Sequence, residues 1–203
     1  AAMVGLGSVR GAVIGDDDRR ATTAELQRMV RMVEQAIAAG ACGASTGLEY
    51  TPGAFATPEE LIALCRPLAT KRLPYATHMR NEGTTLEDAV AEAINIAEQA
   101  QCPLEISHLK VDAPSRWGAS AKALEMIDAA RARGLRVNAD QYLYDAASSN
   151  LGIRFPSWVL EGGQEKINER LDDGATWEKI RAEITKVEEK LAKGETFVLN
   201  IIA

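Results

Sequence analysis

Two histidines, His78 and His108, are the only imidazoles in the 203 residues. They stand thirty positions apart, in Tyr75-Ala76-Thr77-His78-Met79-Arg80 and in Glu105-Ile106-Ser107-His108-Leu109-Lys110. Each closes a short apolar run that begins after a proline, Pro74 or Pro103, and each is followed two residues later by a cation. Imidazole is the commonest side-chain ligand for zinc and related metals. Thirty residues is about one strand–helix unit. Two parallel strands one unit apart carry both rings to the same edge of a sheet, where α/β proteins build their sites. The pair therefore reads as a metal site, against the plainer alternative of one buried and one loop histidine.

Strand-like runs begin near residues 2, 41, 74, 103 and 135, with helical patterns between them. Leu26, Met29, Val30, Val33 and Ile37 share one helical face that starts at Thr22 or Thr23 and stops at Gly40. The small, apolar run Ala41 to Leu48 suits a buried parallel strand and delivers Glu49 and Tyr50 to the histidine edge. Thr57-Pro58-Glu59-Glu60 is a helix start, and Pro67 should end that helix. Further helices are expected from Thr84 or Thr85 and from Ser120 to Arg133. Gly5-Leu6-Gly7-Ser8-Val9-Arg10 reads as a glycine-rich turn after the first strand, and Asp16-Asp17-Asp18 as a solvated loop. Five strands and four intervening helices, each connection long enough for a right-handed crossover, predict a parallel α/β fold over residues 1–145. Beyond Tyr144 the period breaks. Residues 146–203 are expected to be an insertion or cap, with polar helices over Gln164–Leu171 and Thr176–Lys193 and a last strand at Phe197–Ile202.

A net charge of −6 argues against a nucleic-acid partner, and no apolar run is long enough to span a bilayer. Three cysteines without CxxC spacing do not make a disulfide framework and point to a reducing compartment, the cytoplasm. The chain begins and ends inside apolar, strand-like runs, as a piece of a longer protein would.

Several stretches resemble the N-acyl-D-amino-acid deacylase (D-aminoacylase) family of the amidohydrolase superfamily. They are Gly40 to Tyr50, Tyr75 to Gly83, Ile106-Ser107-His108-Leu109-Lys110, Ala139-Asp140-Gln141-Tyr142, and Pro156 to Gly163. The likeness runs in order from the start to about residue 172. It implies a (β/α)8 TIM-type barrel, of which strands three to seven would be present, with a zinc site at its C-terminal mouth. It also implies hydrolysis of the amide bond of an N-acyl-D-amino acid. By motif, His78 and His108 match two metal ligands, Lys110 a residue that holds the substrate carboxylate, and Tyr50 a substrate-contacting tyrosine. Arg80 is a further substrate-binding candidate. Ser148 and Ser149 lie where the family has small polar residues near the pocket. The family's His-x-His pair, bridging cysteine and general-base aspartate would fall outside this stretch. Leu6 stands where many members have histidine, and Leu143 where many have proline.

The chemistry accounts for these residue types. Zinc lowers the pKa of bound water to roughly 7, and a carboxylate must then shuttle a proton to the leaving nitrogen. Asp140, at a strand end on the same mouth, is a candidate for that base, with a structural role the stronger expectation. Two other functions fit the residues: a non-catalytic α/β module that binds a small carboxylate through Lys110 and Arg80 without metal, and a related amidohydrolase acting on a dipeptide or cyclic amide.

Overall fold

The computed structural model describes residues 1–144 and 146–192. Five strands form one parallel sheet in chain order: β1 (Val4–Gly5), β2 (Ala44–Gly47), β3 (Tyr75–His78), β4 (Leu104–Ile106) and β5 (Val137–Ala139). A parallel sheet in which each strand lies beside its predecessor is wound like a (β/α)8 barrel; a doubly wound sheet reverses order at a switch point. Helices α1 (Leu6–Ile14), α2 (Thr23–Ala38), α3 (Pro58–Cys65), α4 (Leu86–Ala100) and α5 (Ser120–Ala132) make the crossovers. Then come α6 (Ser157–Leu160), α7 (Gly163–Asp172) and α8 (Gly174–Ala192). The strand expected at Phe197–Ile202 lies outside the described residues.

The register separates the two faces of the sheet. Ala44, Tyr75, Leu104 and Val137 pair across four strands, and all four are buried. Together with Leu61, Leu64, Val90 and Ile94 from the helices they belong to one hydrophobic core. In the alternate row Ser45 and Glu105 are half-buried, Ala76 is buried and Asn138, on β5, is exposed. This is the concave face that a closed barrel fills with its own side chains. His78 projects from the same face as Ala76, at the C-terminal end of β3.

Most elements begin and end where local chemistry directs. Thr22 and Glu25 form a reciprocal capping box at the start of α2. Thr57 caps α3, and Pro67 converts its end to a 3-10 turn over Arg66–Lys71. Thr85 is the N-cap residue of α4 but its side chain makes no capping bond; the turn leading into it is held by Asn81, whose Oδ1 accepts from the backbone of Gly83 and Thr85 at 3.0 Å each. The glycine-rich stretch after β1 is a helix and not the expected turn. Leu6, Val9, Arg10 and Ile14 recur at helical spacing and are all buried, so packing outweighs the poor helix propensity of Gly7 and Gly11. The C-terminal helices brace one another: Trp158 Nε1 donates to Glu183 at 3.2 Å and Arg170 to the Val159 carbonyl at 3.0 Å. A backbone bond from Gly162 to Asp16 O, 2.9 Å, ties them to the loop after α1.

Candidate metal centre

β3 ends on His78, whereas β4 ends at Ile106, two residues short of His108. The ladder continues one step further, Ser107 N donating to Thr77 O at 3.0 Å, and then the chain turns. His108 adopts φ 43°, a left-handed conformation that a non-glycine residue holds only when its surroundings demand it. Asp140 supplies the demand. Its carboxylate accepts from the His108 N–H, and its carbonyl accepts from Leu109 N at 2.9 Å. The turn brings the His108 ring over that of His78, with centroids 4.7 Å apart and planes 70° apart.

Nδ1 of His78 and Nε2 of His108 approach to 3.0 Å. The far nitrogen of each ring faces a carboxylate: His78 Nε2 lies 3.0 Å from Glu49 Oε2, and His108 Nδ1 lies 2.9 Å from Glu82 Oε1. An ionised carboxylate only accepts, so both outer nitrogens carry hydrogen. With both rings neutral the inner nitrogens present lone pairs to one another, and either a shared proton, as an N–H···N bond, or a metal ion between them satisfies the pair. Carboxylate-buttressed imidazoles are the usual form of histidine at metal sites. His78, Glu82 and His108 are the group of potential ligands that converges among the described residues, with ligand atoms within 4.8 Å of one another. The local field favours positive charge in general. The hydrogen bond to Glu82 raises the pKa of His108 against the opposing effect of partial burial. Burial pushes the Glu82 carboxyl up, but hydrogen bonds from His108 and Lys110 outweigh it and hold the group below its ordinary value.

Lys110 completes the cluster. Its Nζ binds Glu82 Oε2, lies 3.1 Å from His108 Nδ1, and donates to the His108 carbonyl at 3.3 Å. Tyr142 stacks beside it, with Nζ 5.5 Å from the ring centroid. These groups line a pocket of about 390 Å³ together with Tyr50, Asp112, Ser148 and Ser149, a volume in the small-ligand range. Tyr50 Oη and Ser149 Oγ are 2.8 Å apart, which joins the end of β2 to the segment after residue 145. Burial lifts the Asp112 carboxyl to about 6, with the charge of Lys110 opposing.

The structure thus gathers His78, His108, Lys110 and Tyr50 around the pocket, with Arg80 outside it and Asp140 behind His108. The Arg80 guanidinium is committed to Glu92 at 3.0 Å and to the carbonyls of Ala54 and Ala56 at 2.7 and 2.9 Å. Two residues past the strand end the chain has left the sheet, so strand alternation no longer aims the side chain. Asp140 is exposed and spends its carboxylate on the His108 backbone. Sequence reasoning did not assign Glu49, Glu82 or Asp112. Glu49 was legible as a residue delivered to the histidine edge. Glu82 sits four positions after one histidine but binds the other, so its partner becomes visible only in the folded chain.

No family model matches the chain. It is 44% identical over 151 residues to a D-aminoacylase of Alcaligenes xylosoxydans xylosoxydans, covering 74% of this chain and 31% of that protein. It is 40% identical over 151 residues to an N-acyl-D-glutamate deacylase of the same organism, again covering 74% and 31%. Among solved structures it is similar to the N-acyl-D-glutamate deacylase from Bordetella bronchiseptica, complexed with zinc and a phosphonate inhibitor that mimics the tetrahedral intermediate. That match has TM-score 0.69 at 42% identity and covers 71% of this chain and 30% of the other. The chain spans about a third of the length of these relatives. Sequence and fold together show that the chain is similar, over about three quarters of its length, to one part of the N-acyl-D-amino-acid deacylases.

Proposed function

We propose that this chain provides one side of the catalytic mouth of a zinc-dependent amidohydrolase that cleaves N-acyl-D-amino acids. Residues 1–145 would form barrel strands three to seven, and residues 146–203 an insertion beside the mouth. The observation that carries the reading is the 3.0 Å convergence of two imidazole nitrogens whose outer nitrogens are each turned by a carboxylate. The zinc-bound relative with 42% identity supports it. His78 Nδ1 and His108 Nε2 would hold the ion, which when bound supplies a polarised water as nucleophile. Lys110, the cation facing the pocket, would anchor the substrate carboxylate, and Tyr50, fixed by Ser149, would contact the acyl-amino-acid. We assign Arg80 to bracing the loop after β2 and Asp140 to holding His108 in its turn. No helix among the described residues is long and apolar enough to cross a membrane. Three free cysteines fit a cytoplasmic setting, which we adopt for the protein.

The test is zinc analysis and N-acyl-D-amino-acid hydrolysis by the complete gene product. His78→Ala and His108→Ala are each expected to lose bound zinc and at least about 100-fold in turnover. Normal turnover in either variant, or carboxylate binding that survives a chelator in a protein with no hydrolysis, would defeat the reading in favour of a metal-free binding module.

A further inference from the structure

We propose that Glu82 couples the metal-binding imidazole of His108 to the carboxylate anchor Lys110, so that metal and anionic substrate each tighten the binding of the other. The inference rests on the function proposed above. Glu82 is 3% exposed, and its two oxygens serve two different partners: Oε1 meets His108 Nδ1 at 2.9 Å and Oε2 meets Lys110 Nζ. The loop that carries it is fixed on both sides. Asn81 Oδ1 accepts from Gly83 N at 3.0 Å, and the Glu82 carbonyl accepts from Asp112 N at 2.8 Å. The carboxylate therefore cannot follow one partner without loosening its hold on the other.

The direction of the coupling follows from charge. A carboxylate that shares its charge with an ammonium is a weaker acceptor for the imidazole N–H. A weaker acceptor leaves the opposite nitrogen, His108 Nε2, a poorer donor to a metal. When a substrate carboxylate draws Lys110 toward itself, Glu82 is released to His108, and Nε2 becomes the better ligand. Linkage then requires the reciprocal: metal at Nε2 strengthens binding of the carboxylate by the same factor. Glu82 acts through its neighbours and is a positioning residue.

The test uses the complete gene product, zinc, and isocaproate, a carboxylate of leucine-like shape with no scissile amide. The zinc Kd is read by competition with a chromophoric chelator, with and without saturating isocaproate. In the wild type, isocaproate is expected to tighten zinc by about 5-fold or more. Glu82→Gln is expected to weaken zinc by roughly 10- to 100-fold and to abolish the isocaproate effect while isocaproate still binds. Lys110→Met is expected to keep zinc affinity at or above that of the wild type and to lose the response. If Glu82→Gln does not fold, the zinc affinity of Lys110→Met decides: freeing Glu82 for His108 requires it to equal or exceed that of the wild type, and a weaker affinity overturns the coupling, whereas the lost response alone follows from removing the anchor. A response that persists in either variant would mean that the anion acts directly on the metal or through space, and would overturn the coupling. So would wild-type zinc affinity in Glu82→Gln. Failure of the wild type to bind zinc overturns the proposed function and this inference together. A zinc-binding, hydrolytic wild type with unresponsive variants as described upholds both, and one with unchanged Glu82→Gln refutes the coupling alone.

Discussion

Removing the carboxylate of Glu60 should destabilise this fold more than removing its whole ion pair. Arg10 on α1 and Glu60 on α3 meet at 2.6 Å, with side chains 1% and 5% exposed. Glu60→Leu leaves the guanidinium buried without its counter-charge, a change that costs about 3–5 kcal/mol. Arg10 also donates to the carbonyls of Asp17 and Arg19 at 3.2 and 2.7 Å, and these contacts survive, so the expected loss is about 3 kcal/mol. The double variant Arg10→Met with Glu60→Leu carries no buried charge. It gives up the two carbonyl contacts, but Asp17 and Arg19 lie at the surface, where water replaces the donor. The double should therefore be more stable than Glu60→Leu alone, by about 2 kcal/mol. Urea unfolding of the wild type, both single variants and the double gives the cycle directly, provided the slopes agree. A Glu60→Leu variant within about 1 kcal/mol of the wild type, or two single effects that simply add, would refute the reasoning.

Two further outcomes follow from the backbone and the caps. Gly43→Ala would place a Cβ 2.6 Å from the Pro74 carbonyl, which already accepts from Ala44 N in the sheet ladder, so thermal unfolding should reveal a loss of about 1–3 kcal/mol. The Glu25 carboxyl is held well below the ordinary carboxylate range, first by Arg19 and then by the Thr22 backbone and hydroxyl. A depressed folded-state pKa contributes stability above the unfolded value of about 4.3 that is lost as pH falls. Glu25→Gln should therefore be less stable than the wild type at neutral pH, with the gap closing in acid; a gap constant across a pH series of melting curves would contradict this.

What could be read from the residues was what repeats. Short apolar runs between helical patterns located the five strands of the described residues, and the thirty-residue interval between His78 and His108 placed both rings at one edge. The α1 helix escaped because Gly7 and Gly11 argue locally for a turn, and only the burial of Leu6, Val9 and Arg10 overrides them. Arg80 settled outside the pocket for a related reason, while Asp140 took the structural role that was its stronger expectation. Past the last strand residue, orientation is set by whichever partner the loop meets, and Glu92 and the His108 backbone lie twelve or more positions away in sequence. Glu82 is the sharpest case, since its motif contains His78 while its hydrogen bond goes to His108.

The consecutive order of the strands also bears on how the chain finds its shape. Among the described residues each strand pairs with one that lies roughly thirty to forty residues away. Loop closure grows only as the logarithm of length, by about 0.6 kcal/mol per doubling, so every pairing carries nearly the same entropic cost. This part of the sheet can then lengthen by accretion, one strand and its helix docking on the last. His78 and His108 belong to adjacent additions. The two histidines reach neighbouring strand ends when β4 joins β3, and the turn that aims the His108 ring is completed one addition later, when β5 brings Asp140 beneath it.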